Sequence, residues 1–293
     1  MAADDQQLFT VTTRSRLKGF WRFPQMMYAT IRVRRQLRES GEVVRFASVI
    51  AGPSEFWTIT VWRSRHDMQE FMRTGAHDDI MWQFSRWLKS FWLMRWRPGP
   101  REVGSWRGLE MARGEPAYER PSMEPVKAEA LRNALDHFPR LKAATAADGS
   151  VTYDSTPYAR RRRAEVGGAG GMVVHISTTP QRTVEAVLAL RSLRRRGERD
   201  EDWLRGVVGI SKPGQIYLLA LWATRAGPER TLSSAAFEAL QRRFPGACWA
   251  NEWIPENEFG HWDGIRLRRA RERYSIAVPR IAMDVAGDTP HRG

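Results

Sequence analysis

The sequence predicts an α+β fold made of two tandem β-α-β-β-α-β units, and three observations predict it. Short β-branched or aromatic runs alternate with amphipathic runs at helical spacing, in one order that occurs twice. Tryptophan, proline and glycine positions recur at a nearly constant offset. A stretch without tryptophan, rich in Pro, Gly, Ala and charge, separates the two series. The organisation follows: a first unit at 1–110, a linker at 111–171 containing one helix, a second unit at 172–273 and a C-terminal tail at 274–293.

The first strand is LFTVTT at residues 8–13. A helical pattern covers 25–39, with Met26, Met27, Ile31, Val33 and Leu37 as apolar positions, and Ser40-Gly41 stops it. VVRFASVIA at 43–51 and EFWTITVW at 55–62 are strands joined by the Gly52-Pro53-Ser54 turn. In the latter, Trp57, Ile59 and Val61 share one face, and Phe56, Thr58, Thr60 and Trp62 the other. A second helical region follows, broken at Gly75 and continuing through 76–88. His77, Ile80, Met81, Phe84, Trp87 and Leu88 fall there at spacings of three and four. The fourth strand is 91–96, ended by Pro98-Gly99-Pro100, and a short final strand is expected at 105–109.

Within the linker, 125–137 has a helical apolar stripe. GGAGG at 167–171 precedes a strand rather than a helix, which suits a phosphate-cradling loop poorly. The second unit repeats the order: strand 172–179, helix 184–196, strands 203–211 and 215–222, helix 232–244 and strand 249–253.

The repeat can be checked position by position. Pro53 and Pro213, and Trp62 and Trp222, stand 160 residues apart; Trp92, Trp96 and Pro98 match Trp249, Trp253 and Pro255 at 157; Trp106, Gly108 and Leu109 match Trp262, Gly264 and Ile265 at 156. This is duplication with small deletions. The order β-α-β-β-α-β is ferredoxin-like, an antiparallel sheet with two helices on one face. The bare face needs a cover. Two tandem ferredoxin-like units packed sheet to sheet would therefore form an intramolecular α+β barrel.

Composition narrows the class. The chain has 293 residues, 42% hydrophobic and 27% charged, as a globular protein does. One cysteine, Cys248, excludes an internal disulfide, and no zinc spacing occurs. No run of 18 apolar residues appears and the N-terminus lacks signal-peptide features, so a cytoplasmic protein is expected. The formal charge of +14 favours an anionic partner. Peripheral contact with an anionic membrane is one such reading; nucleic acid is disfavoured because no recognition motif frames the arginine clusters. No Ser/His/Asp arrangement or nucleotide fingerprint argues for hydrolase or dehydrogenase chemistry.

The run at 61–96, VWRSRHDMQEFMRTGAHDDIMWQFSRWLKSFWLMRW, resembles the dimeric α+β barrel superfamily, which includes antibiotic-biosynthesis-monooxygenase-like and spheroidene-monooxygenase-like proteins. Trp62, Phe71, His77 and Trp87 stand at the places that carry the resemblance. It covers 43–98 well and the second unit only by element order. The resemblance implies an oxygenase of bacterial secondary metabolism acting on a lipophilic or aromatic small molecule, in a cavity between sheet and helices. It implies haem in some branches, cofactor-independent oxidation in others, a haem-dependent lyase or dehydratase reaction in another, and binding alone in still others. A fused tandem does in one chain what relatives do as dimers; a homodimer of the whole chain stays open.

The candidate residues follow. His77, beside Ile80 and Met81 on the apolar side of its helix, is the candidate axial metal ligand of a haem or general base, with a structural role as the alternative. The second unit has residues 234–237 at the matching place, so such a site exists once per chain. Trp62, Trp92 and Trp96 are core residues or, with haem bound, its wall. Arg95, with Arg45 and Arg97, could pair an acidic ligand group such as a propionate. His175 alternates with Val173 and Ser177 and faces either the same cavity or the sheet interface.

Overall fold

The structure, a computed structural model, describes residues 8–41, 43–72, 74–81, 84–111, 169–260 and 262. The expected linker helix at 125–137, the arginine clusters at 160–163 and 266–273, and the tail lie outside the described residues. The first half runs β1 (Phe9–Leu17), α1 (Phe23–Ser40), β2 (Val43–Gly52), β3 (Glu55–Trp62), α2 (Arg65–Met72), α3 (Gly75–Met81), α4 (Phe84–Trp87) and β4 (Leu88–Val103). The second runs β5 (Gly170–Ser177), α5 (Thr183–Gly197), β6 (Trp203–Lys212), β7 (Gln215–Trp222), α6 (Ala226–Leu232), α7 (Ala235–Arg243) and β8 (Cys248–Gly260).

The strands close one antiparallel barrel in the order β1-β3-β2-β6-β7-β5-β8-β4. Its two seams are unequal. β4 and β8 pair over a long register from Trp92 opposite Gly260 to Val103 opposite Ala250. β2 and β6 meet only at Ile50 opposite Ile210. Gly209 permits that approach, since a Cβ there would sit 2.5 Å from Val49 Cγ1.

Several boundaries differ from expectation: β1 runs on past residue 13 to Leu17, and β8, expected at 249–253, runs from Cys248 to Gly260. Pro98-Gly99-Pro100 does not end β4; the strand runs on to Val103, and a register shift between Pro98 and Glu102 absorbs the missing donors. The short strand expected at 105–109 is a tight turn closed by one bridge between Trp106 and Leu109. The helix expected at 232–244 is α7, which starts only at Ala235 because Ser234 caps it by accepting from the Phe237 amide at 3.2 Å, and a separate helix that was not expected, α6, precedes it.

Side chains alternate along each strand, so half point into the barrel and half toward the helices. The barrel interior is a column of aromatics: Trp57, Trp92, Trp96, Trp106, Tyr217, Trp249, Trp253 and Trp262 are all buried. They come in matched sets. Trp57, Trp92 and Trp262 meet at one end, with ring centroids 4.4–5.8 Å apart. Tyr217, Trp249 and Trp106 meet at the other, with Trp106 stacked on Trp249 at 5.1 Å and edge-on to Tyr217 at 6.0 Å. Trp96 and Trp253 touch between them at 5.7 Å.

The polar partners are matched crosswise. Trp92 Nε1 donates to Glu258 at 2.6 Å, and Trp249 Nε1 donates to Glu102 at 2.6 Å. The pattern breaks at the middle pair. Trp96 Nε1 donates to Thr12 at 2.9 Å, but Val173 stands where Thr12 does, and the buried Trp253 Nε1 has no partner among the described residues.

Candidate functional site

Outside the barrel wall, each half packs its helices on the outward strand faces, and the two halves differ there. Strand register matches Thr13 and Ser15 of β1 with Val174 and Ile176 of β5. It matches Ser48 of β2 with Val208 of β6, and Thr58 and Thr60 of β3 with Leu218 and Ala220 of β7. Five hydroxyl side chains in the first half thus occupy the positions of five aliphatic ones in the second. In the second half that layer is a continuous apolar cluster around Val174, Ile176, Leu218 and Phe237. In the first half it encloses a cavity of about 100 Å³. Its floor is the hydroxyl row, and its roof is Ala29 and Val33 of α1 with Met68, Phe71, His77 and Ile80 of α2 and α3.

Some of the hydroxyls are committed. Thr13 and Thr58 bond each other. Thr60 donates to Val11 O and accepts from Trp62 Nε1 at 2.9 Å. The hydroxyls of Ser15 and Ser48 make no side-chain hydrogen bond among the described residues.

His77 is held from two sides. Gln36 of α1 accepts the His77 amide proton at 2.8 Å and donates to Thr74 O at 2.8 Å, which ties the start of α3 to α1. Gly75 makes the turn with φ +60, a conformation costly for other residues, and its missing Cβ leaves room for Gln36 at 3.1 Å. The break expected at Gly75 is there: α2 ends at Met72 and α3 starts at Gly75. His77 Nδ1 lies 3.2 Å from Met72 O. A carbonyl only accepts, so Nδ1 carries the proton and the lone pair is on Nε2. Nε2 has no hydrogen-bond partner among the described residues. Burial lowers the His77 pKa to about 4, against a smaller upward pull from Met72, so the ring is neutral near pH 7.

The other expected site residues divide. Trp62 lines the same cavity and packs on Phe71 at 5.0 Å, and Phe71 lies 5.2 Å from His77. Trp92 and Trp96 face the barrel interior, on the opposite side of the sheet from His77. Arg95 is half-buried on the outer face of β4 and is not among the cavity residues. Arg45 binds Trp106 O and Arg107 O, and Arg97 pairs with Glu256.

His175 lies inside the barrel and is buried. It stacks on Tyr217 at 4.4 Å and donates from Nε2 to Gln215 Oε1 at 2.8 Å, which also accepts from Arg107. Burial lowers its pKa to about 4; the Gln215 bond opposes this and the Arg107 charge adds to it. Its matched residue is Arg14, paired with Glu55 at 2.6 Å as His175 is with Gln215. His175 therefore belongs to the sheet interface, the second of its two expected places, away from the His77 cavity.

A larger, more open groove of about 450 Å³ lies at the β2–β6 seam beside Arg191, Arg194 and Glu55. Its acids are committed, Glu55 to Arg14 and Glu198 to Arg194.

Haem fits the cavity in one respect: a histidine whose Nδ1 is fixed by a carbonyl presents Nε2 for ligation. In other respects it does not fit. A space of about 100 Å³ is too small for the haem macrocycle. No Lys or Arg lines it among the described residues, so a propionate would be buried unpaired. Of the three tryptophans expected to wall it, Trp62 lines the cavity but Trp92 and Trp96 are behind the sheet. Nor do the described residues contain a group of three or more His, Cys, Asp or Glu able to hold a metal ion.

The hydroxyl row was not singled out from the sequence. Its signal was present: laid on the repeat offset, Thr58 and Thr60 fall on Leu218 and Ala220. A repeat that swaps aliphatics for hydroxyls on one face has stopped packing there as core.

No protein-family model and no curated protein matches the chain. Among solved structures it is similar to an aldoxime dehydratase, at 11% identity and TM-score 0.49, covering 87% of this chain and 83% of that one. It is also similar to an anthrone oxidase-like protein, at 12% identity and TM-score 0.29, covering 94% and 99%. A third is a cofactor-independent oxygenase from Streptomyces nogalater, at 11% identity and TM-score 0.24, which covers 32% of this chain and 94% of its own.

Proposed function

We propose that the chain oxidises a small electron-rich aromatic molecule of the phenol type in the His77 cavity, with dioxygen as oxidant and no resident cofactor. The observation that carries this reading is a neutral imidazole, with its lone pair on Nε2, lining a cavity that bears no charged side chain among the described residues and that lies where the second half packs a continuous apolar cluster. His77 is the base for the substrate hydroxyl. At a pKa of about 4 it is a weak one in the empty site, and the phenolate it creates must repay the imidazolium through their attraction in a low-dielectric space. Ser15 and Ser48 are the hydroxyls available to hold the substrate oxygen. The electrons balance without a reductant: a phenol and O2 give a quinone and water, one oxygen atom going to each. In this reading the two halves are fused ferredoxin-like units, supported by their matched aromatic interiors, and only the first kept a ligand space.

Oxygen uptake with 1-naphthol in the presence of a chelator tests it. The expected result is naphthoquinone formation by the wild type and a loss of about 100-fold in His77→Ala. Equal rates in the two proteins, or no uptake across monocyclic and bicyclic phenols, contradict it. Added hemin is expected to give no Soret band. A band that disappears in His77→Ala would return the haem reading.

A further inference from the structure

We infer that the outer face of α1 and the turn before it form a docking surface for an anionic lipid membrane. Four large apolar side chains are exposed there: Phe20 at 63%, Trp21 at 72%, Tyr28 at 65% and Ile31 at 62%. From Trp21 they lie on one line with Pro24, Arg35 and Arg38, at alternating steps of three and four, the spacing of a single helical face. Trp21 is not a loose side chain. Its indole folds over Gly19, where a Cβ would come within 2.3 Å of the ring.

The flanks are basic. Residues 16–40 carry Arg16, Lys18, Arg22, Arg32, Arg34, Arg35 and Arg38 against a single acid, Glu39. Aromatic rings at the level of lipid headgroups, ringed by Arg and Lys, match an anionic bilayer surface. A second copy of the chain fits less well. A two-fold contact through this face would set these basic residues against themselves. Among the described residues no helix is long and apolar enough to cross a membrane, so the contact is peripheral.

The surface is continuous with the cavity. Phe20 stacks on Phe23 at 5.7 Å, Phe23 packs on Phe56 at 5.5 Å, and Phe56 lines the cavity. The docking surface stands on exposed residues whatever the cavity binds; only its use as a route for a lipophilic substrate rests on the function proposed above.

Flotation with vesicles tests it, using phosphatidylcholine alone and phosphatidylcholine with an equal part of phosphatidylserine. The full chain is expected to float with the anionic vesicles and to lose that binding as salt rises. Phe20→Ala/Trp21→Ala and Arg16→Glu/Lys18→Glu are each expected to weaken it by about tenfold or more, with unchanged circular dichroism. No flotation of the wild type, or flotation of both variants equal to that of the wild type, overturns the inference. So does loss of a wild-type dimer in Phe20→Ala/Trp21→Ala without vesicle binding, which would make this face a self-interface. Naphthol oxidation is read separately, so failure of either claim leaves the other standing.

Discussion

His77 and His175 share a lowered pKa and little else. Each is pushed to about 4 mainly by burial, from the ordinary 6.5. Their folded states therefore prefer the neutral ring. The stability this represents is complete above about pH 6.5 and is lost as pH falls toward 4, where the unfolded chain binds the protons first. For His175, the more deeply buried of the two, the loss is up to about 3 kcal/mol. Thermal melts of wild type and His175→Asn between about pH 7 and pH 4 check this. The wild type should lose more melting temperature on acidification than the variant, and parallel curves would sink the assignment. The two residues part in their surroundings. His175 has a stacked ring and a bonded Nε2, whereas His77 has a cavity and an Nε2 without a hydrogen-bond partner among the described residues.

At the scale of elements, the site depends on how α1 seats α3. Gln36→Ala removes the partners of Thr74 O and the His77 amide together. It should cost about 1–3 kcal/mol, with hydrogen exchange quickened in 74–81 and unchanged in β1 and β3. Uniform quickening would mean that Gln36 supports the whole fold instead. The strand floor makes a separate prediction. Thr13→Val/Thr58→Leu gives two hydroxyl positions the aliphatic character of Val174 and Leu218. Because both partners of one bond go together, no orphan hydroxyl remains, and part of the cavity fills. The melting temperature should rise, by an amount worth about 1 kcal/mol.

How far the elements were legible follows from what each relied on. β2, β3, β6, β7, α1 and the Gly75 break rest on local periodicity and turn chemistry, and they stand where the sequence placed them. The extension of β4 through Pro98-Gly99-Pro100 rests on its pairing with β8, 150 residues away in the chain, which no local rule contains. His77 stands out in the sequence because it lacks a counterpart in the repeat, and it lines the first-half cavity. The placement of Trp92 and Trp96 on the far side of the sheet was not, since alternation assigns faces but not which face the helices cover.

At the scale of the molecule, one barrel wall is strongly closed and the other weakly. Backbone amides of β2 and β6 near Ile50 and Ile210 should exchange faster than those of β4 and β8 near Trp96 and Trp253, by native-state hydrogen exchange. Equal protection would show that side-chain packing rather than ladder bonds holds the seam. The aromatic column ties both halves into one core. Trp96→Ala, at its middle, should cost about 3–5 kcal/mol, a large part of the stability of an ordinary domain.

The central claim is that the hollow helical layer of the first half, and not the aromatic barrel, holds the ligand. Calorimetric titration with phenol tests it most directly, comparing wild type with Thr13→Val/Thr58→Leu. The expected result is one phenol bound per wild-type chain and none by a variant that melts no lower. Undiminished binding by that variant would contradict the claim and move the site elsewhere in the molecule.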